Sequence, residues 1–131
     1  MALPDNVCYY AYDIYTDLAE FLNAYFRLLE ITGQAFARDL VTYTPTEAVD
    51  LVFALKLLPP LMQIDKSSAL HLLQSLNAQQ MIVSFPLQSL GGNQKGMYRH
   101  YDQLFTDLIA AEKWHTTRFV FETELVFLVK K

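Results

Sequence analysis

Two carboxylates, a lysine and a serine stand where apolar runs of this chain stop. Asp13 ends residues 7–13, Asp39 lies near the end of residues 35–41, Lys56 follows residues 48–55, and Ser84 falls within residues 81–85. In an open α/β sheet, ligands bind outside the carboxyl ends of the strands. A carboxylate there can accept both hydroxyls of a ribose, so an acid closing a strand suits a nucleoside. The plainer reading of any one of these residues is a polar group where a strand meets solvent, but with four at strand ends a site is as good a reading.

Other chemistries find little support. His71, His100 and His115 have no spacing that would set two ligands on one face beside a cysteine or carboxylate, as zinc requires. Cys8 reads as a small buried hydrophobe inside the first strand. No serine sits in a nucleophile elbow. The loop around Gly91, Gly92 and Gly96 lacks phosphate-loop spacing. It does carry Lys95, Arg99 and His100, with no acid between Ser84 and Tyr101. A basic, glycine-bearing loop ahead of a helix can clamp a phosphate through backbone N–H groups.

The elements that position these residues follow from periodicity. Residues 7–13 read as a buried strand, and Thr16 as the cap of a helix with Leu18, Phe21, Leu22, Tyr25, Leu28 and Leu29 on one stripe, stopped by Gly33. Residues 35–41 form a second strand. Residues 48–55 are almost continuously apolar, the pattern of a strand covered on both faces. A helix over 61–76 turns Leu61, Ile64, Leu70, Leu72, Leu73 and Leu76 inward, and a strand over 81–85 closes at Pro86. A further helix aligns Met97, Tyr101, Leu104, Phe105, Leu108 and Ile109. Residues 116–129 read as two antiparallel strands at a sheet edge, joined by a turn around Glu122–Glu124. The order β α β β α β α β β predicts a parallel α/β sheet with an antiparallel C-terminal pair, in one domain over 1–131.

Composition agrees with this. At 131 residues, 53% apolar and 18% charged, the chain is long enough for one buried core, and too apolar for disorder. The longest apolar stretch, residues 51–62, is broken by Lys56 and the Pro59–Pro60 pair, short of the roughly 20 residues of a membrane span. With no secretory leader and one cysteine, a soluble cytoplasmic protein is expected. Residues 1–50 hold eight acids and two bases, and residues 51–131 six acids and eight bases. At a pI near 5.2, any RNA contact must come from the second half or from a partner.

One set of motifs goes further. Residues 50–59 (DLVFALKLLP), 72–77 (LLQSLN), 83–86 (VSFP), 89–92 (SLGG), 95–97 (KGM) and 123–126 (TELV) resemble, in that order, the C-terminal half of the aminoglycoside-resistance 16S rRNA methyltransferases. That family methylates guanine N7 in the ribosomal decoding site with S-adenosylmethionine. The resemblance runs across nearly the whole chain. It implies a Rossmann-like class I methyltransferase sheet, in a single partial domain, and a small-subunit 16S rRNA partner with no membrane association. More loosely, Tyr12-Asp13-Ile14 resembles the acidic strand end that holds the cofactor ribose, and Arg38-Asp39-Leu40 the adenine-contacting segment. Leu55 completes that cofactor-binding set. Lys56 and the Ser84-Phe85-Pro86 turn would line the methyl-transfer side as catalytic residues, with core packing the plainer role for Phe85. Ser89, Lys95, Met97 and Arg99 would face RNA.

Family members are about twice this length. Their N-terminal helical RNA-binding region, first strand and Gly-containing loop have no counterpart here, and Ala2-Leu3-Pro4 resembles the end of that loop region. The absent strand would lie between those of residues 7–13 and 48–55, which must then pair directly, leave a gap or borrow a strand. Each charge-assisted bond lost with the methionine-binding part costs roughly 1.5–3 kcal/mol, so the chain alone is expected to be impaired. The alternative is a non-catalytic remnant that dimerises or binds protein through an open sheet edge. An unrelated flavodoxin-like binder is disfavoured, since no phosphate loop follows the first strand.

Overall fold

The computed structural model describes residues 6–87 and 94–131. Residues fall into two compact units, Met1–Tyr43 and Thr44–Lys131. Each is described by itself.

In the first unit, β1 (Tyr9–Asp13), α1 (Thr16–Leu28) and β2 (Gly33–Ala37) form a strand–helix–strand unit. β1 and β2 pair in parallel, Tyr9 opposite Gly33 and Asp13 opposite Ala37. Tyr15, not Thr16, is the N-cap, and no side chain caps it. The helix does not run to Gly33. Glu30 takes a left-handed conformation (φ 54°). Its N–H reaches Arg27 O at 3.3 Å, and Ile31 N–H reaches Phe26 O at 2.8 Å. That pair of bonds is a Schellman stop, with glutamate in the position glycine favours. Gly33 answers a different need: a Cβ there would lie 2.9 Å from Tyr9 O and 3.3 Å from a Phe26 ring carbon.

The inward stripe of α1 is also not the expected one. Ala19, Leu22, Asn23 and Phe26 turn away from solvent, whereas Phe21 is 64% and Leu28 79% exposed. Small residues let the helix approach the two strands closely, and the Asn23 side chain bonds the Ala35 backbone twice, at 2.8 and 2.9 Å. Cys8 precedes β1 and is exposed, contrary to its reading as a buried hydrophobe.

The second unit holds a four-stranded sheet in the order β3–β4–β6–β5. β3 (Val49–Leu55) and β4 (Ala78–Pro86) are parallel, and β6 (Glu124–Lys130) is antiparallel to both β4 and β5 (His115–Val120). The C-terminal pair therefore joins the sheet through β6, leaving β5 as the exposed edge. Among the described residues β1 pairs only with β2 and β3 only with β4, so no direct β1–β3 ladder forms.

The expected 61–76 helix is two helices, α2 (Leu58–Ile64) and α3 (Lys66–Ser75). They meet at Asp65, whose extended backbone breaks the first and whose carboxylate caps the second. The Ser67 hydroxyl and then the Ser67 N–H, at 2.8 and 3.0 Å, hold that carboxyl below its usual range. Ile64, expected inside, is 71% exposed because of the break. α4 (Gln94–Leu108) buries Phe105 and packs its Met97, Tyr101, Leu104 and Leu108 stripe on the core as the periodicity predicts. Leu58, Leu73, Met81, Val83, Phe85, Leu125 and Val129, none of them exposed, build that core. β3 is covered on one face only: Ala54 is 2% exposed, but Phe53 is 61% and Leu55 57% exposed.

Candidate functional site

In the first unit the two acids singled out from sequence stand at the same end of a parallel pair. Asp13 closes β1 opposite Ala37, and Asp39 follows two residues later. The backbone ties them: Arg38 N–H donates to Asp13 O at 2.8 Å. One oxygen of each carboxylate makes a tight turn with its own chain, accepting from Tyr15 N–H and from Val41 N–H, both at 3.0 Å. The first turn follows directly on β1 and the second lies just past the end of β2, and each ties its carboxylate to the backbone. Ile14, 60% exposed, and half-buried Leu40 are the apolar neighbours that follow each acid. Arg38 lies 5.7 Å from the centroid of Phe36 and 5.4 Å from that of Tyr43, so an aromatic and cationic surface lies beside Asp39.

In the second unit Leu55, Lys56, Ser84 and Pro86 come together at the carboxyl ends of β3 and β4. Leu55 pairs with Ser84, and the Lys56 N–H donates at 3.1 Å to both the Ser84 carbonyl and its hydroxyl. Lys56 holds φ 54°, a conformation costing about 1–2 kcal/mol for a residue with a Cβ. Such strain persists where its surroundings hold it, here through Ser84. The Lys56 ammonium reaches Glu124 Oε1 at 3.4 Å, and Glu124 pairs in register with Pro86. Leu87 N–H closes this end by donating to Thr123 O at 2.9 Å.

Burial separates the four catalytic candidates. Lys56 is exposed and Pro86 half-buried, so either can meet a ligand. Ser84 and Phe85 are fully buried. Ser84 sets the Lys56 backbone, and Phe85 stacks on Tyr101 (5.1 Å) and meets Phe105 and Phe127 edge-on. Both act from beneath the surface, and the packing role for Phe85 is the one observed.

Of the RNA-facing candidates, Ser89 lies outside the described residues and Lys95 falls in the first turn of α4. Met97 is half-buried against the core, and Arg99 is exposed. Glu124 was not singled out by sequence as a site residue. Its signal was an acid interrupting an apolar tail, but its partner Lys56 follows a strand far earlier in the chain. No cluster suited to a metal ion occurs among the described residues. No described helix is long and apolar enough to cross a membrane.

Comparison with known proteins supplies the context. The family model described as "Ribosomal RNA methyltransferase (FmrO)" matches residues 1–128. A 16S rRNA (guanine(1405)-N(7))-methyltransferase of Serratia marcescens is 38% identical over 119 residues, covering 91% of this chain and 47% of that protein. The crystal structure of the 16S rRNA methyltransferase RmtF with S-adenosyl-L-homocysteine superposes with a TM-score of 0.86 at 32% identity, covering 93% of this chain and 47% of that one. An Escherichia coli rRNA methylase structure gives 0.80 at 32% identity, covering 93% of this chain and 48% of that one. The chain spans about half the length of these relatives.

Proposed function

The chain belongs to the ribosomal RNA methyltransferase (FmrO) family, and on that footing we propose that it forms the adenosine-binding and target-facing part of a 16S rRNA guanine-N7 methyltransferase. Its fold is the Rossmann-like sheet of class I methyltransferases. The reading extends to S-adenosylmethionine as methyl donor, the small ribosomal subunit as partner in rRNA processing, a cytoplasmic location and aminoglycoside resistance as outcome.

The observation that carries it is the pair of acids, Asp13 at the end of β1 and Asp39 two residues past the end of the adjacent parallel strand β2, with one oxygen each held by the backbone. The other oxygen of Asp13 suits a ribose hydroxyl and that of Asp39 the exocyclic amine of adenine, with Ile14 and Leu40 flanking the ring. Leu55 adds an exposed apolar surface in the second unit.

When bound, S-adenosylmethionine supplies an electrophilic methyl on a cationic sulfur. Guanine N7 carries an unprotonated lone pair, so the transfer would need no general base: the sulfur–methyl bond would break as the N7–methyl bond formed, S-adenosylhomocysteine would leave, and this chain's residues would act by positioning and by handling the moving charge. The lack of a paired-carboxylate acid/base device or a catalytic histidine is therefore no argument against this reaction. Lys56, fixed by Ser84 below and Glu124 beside it, and Pro86 then shape the surface the guanine meets. Ser89, Lys95, Met97 and Arg99 belong to the RNA-facing side.

A chimera tests the reading. This chain is substituted for the matching portion of the Serratia marcescens relative and assayed on small ribosomal subunits for N7 methylation at guanine 1405. Methylation is expected, and Asp13→Ala in the chimera should weaken donor binding by about 1–3 kcal/mol. A folded chimera without methylation, or unchanged affinity in the Asp13 variant, would overturn the assignment. A second reading, a non-catalytic module that pairs with another chain, draws support from the exposed Leu51, Phe53 and Leu55 of the outer strand β3. A tight dimer in light scattering, with no donor binding, would favour it.

A further inference from the structure

A groove of about 910 Å³ opens on the second unit between the α2–α3 junction and α4, and neither Lys56 nor Ser84 lines it. Lys66 stands on one wall and Arg99 and His100 on the other, with Met62 and Leu104 among its apolar lining residues. Lys66 and Arg99 are both exposed, and no ion pair engages either among the described residues. Asp107 is the one acid lining the groove, and it accepts from Gln103 Nε2 at 2.8 Å. His100 packs edge-on against Tyr101 with centroids 4.9 Å apart.

The charge pattern of the sequence converges on the same place. From Lys66 to Tyr101 there are three cations and no acid, in a chain whose net charge is −4. Asp65, just before this stretch, is engaged with Ser67. An acidic protein that keeps acids out of such a run and sets two of its cations, Lys66 and Arg99, at one groove presents a local attraction for a polyanion against its overall charge. The apolar lining adds a surface for ribose or base faces, which a simple anion site does not need.

We infer that this groove is a docking site for the RNA sugar–phosphate backbone, with Lys66 and Arg99 each neutralising a phosphate and Met62 and Leu104 meeting the nucleoside faces. The inference rests on the RNA-methyltransferase reading and deepens it. It adds Lys66, on a separate helix from the expected RNA-facing residues, and extends the contact along α4 beyond Arg99. Backbone contacts of this kind set register on the target without reading its sequence.

The test is fluorescence anisotropy of this chain with a labelled RNA hairpin spanning guanine 1405, over a range of salt concentrations. The double variant Lys66→Gln, Arg99→Gln is compared with Lys113→Gln, Lys130→Gln, which removes the same charge from outside the groove. Both groove side chains are exposed, and circular dichroism checks that the variants remain folded. The groove variant is expected to bind at least tenfold more weakly and to reduce the slope of log K against log salt by about 1.4–1.8, the amount for two lost phosphate contacts. The control variant is expected to keep most of its affinity and its slope. Equal losses in both variants, or no loss in the groove variant, overturn the groove while leaving the methyltransferase reading intact. Absence of RNA binding by the unsubstituted chain overturns the groove, and methylation by the chimera then decides the fate of the wider reading separately.

Discussion

Asn23 looks unremarkable in sequence, a polar residue in an apolar helix. In the structure its carboxamide serves the outer side of β2 as a neighbouring strand would, donating to Ala35 O at 2.9 Å and accepting from Ala35 N–H at 2.8 Å. Ala35 is only 5% exposed, so both backbone groups would be stranded without it. Asn23→Ala is therefore expected to destabilise the first unit by about 1–3 kcal/mol, the cost of leaving buried polar groups unpaired. Urea unfolding followed by a probe in that unit measures it, and a change below about 0.5 kcal/mol, the usual range for a surface substitution, would show that the bonds contribute nothing net. The same logic separates the candidate site residues. Asp13, Asp39 and Lys56 were singled out as polar side chains where an apolar run stops, and the structure places each at or just past the end of a strand. Ser84 was legible by position, but its burial was not. A small hydroxyl inside a strand looks the same whether it meets solvent or bonds a neighbouring backbone. Glu124 lay beyond reach, because its pairing with Lys56 depends on the register of β6 on β4.

At the scale of elements, glycine and glutamate have exchanged the places that local rules assign. Glu30 occupies the left-handed stop of α1, and Gly33 sits where α1 and β1 crowd β2. Substitutions at the two positions should act with opposite sign. Glu30→Gly relieves a conformation disfavoured by about 1–2 kcal/mol and is expected to raise the stability of the first unit by about 1 kcal/mol. Gly33→Ala places a methyl 2.9 Å from Tyr9 O and is expected to lower it. Thermal melts of the two variants check this, and equal signs would refute the account of the helix end. Element types were legible where one physical factor dominated, as in the α4 stripe and the antiparallel C-terminal strand pair. They failed where two factors competed. The apolar run of β3 reads the same for a strand covered on both faces and for one whose outer face lies open. For α1, the largest apolar side chains drew the stripe, but close packing through Ala19 and Asn23 decided the inward face. Periodicity carried a single helix over 61–76, and capping by Asp65 cut it in two.

Across the whole molecule, burial is unequally shared. The continuous core of Leu58, Leu73, Met81, Phe85, Phe105, Leu125 and their neighbours belongs entirely to the second unit. Among the described residues of the first unit the buried apolar side chains are Ala19 and Ala35, while Leu18, Phe21, Tyr25 and Leu28 face outward. Burying an apolar side chain the size of leucine or phenylalanine contributes about 1.5–3 kcal/mol, so nearly all the hydrophobic stabilisation lies in the second unit. The first unit is held by one parallel ladder, the Asn23 bonds and the Tyr9–Phe26 and Tyr12–Phe36 ring contacts. Local opening should follow this division, since amides open at the free energy of the cooperative unit that holds them. Native-state hydrogen exchange is expected to show β1 and β2 amides exchanging well before those of β4 and β6. The unit bearing Asp13 and Asp39 would then be the one that a bound nucleoside stabilises most. Adding S-adenosylhomocysteine to the Serratia marcescens chimera should slow exchange in β1 and β2 more than in β4 and β6. Equal protection of the two sheets in the free chain would mean that the first unit draws stability from something other than its own packing. Slowing confined to β4 and β6 on addition of the ligand would remove the two acids from the nucleoside site.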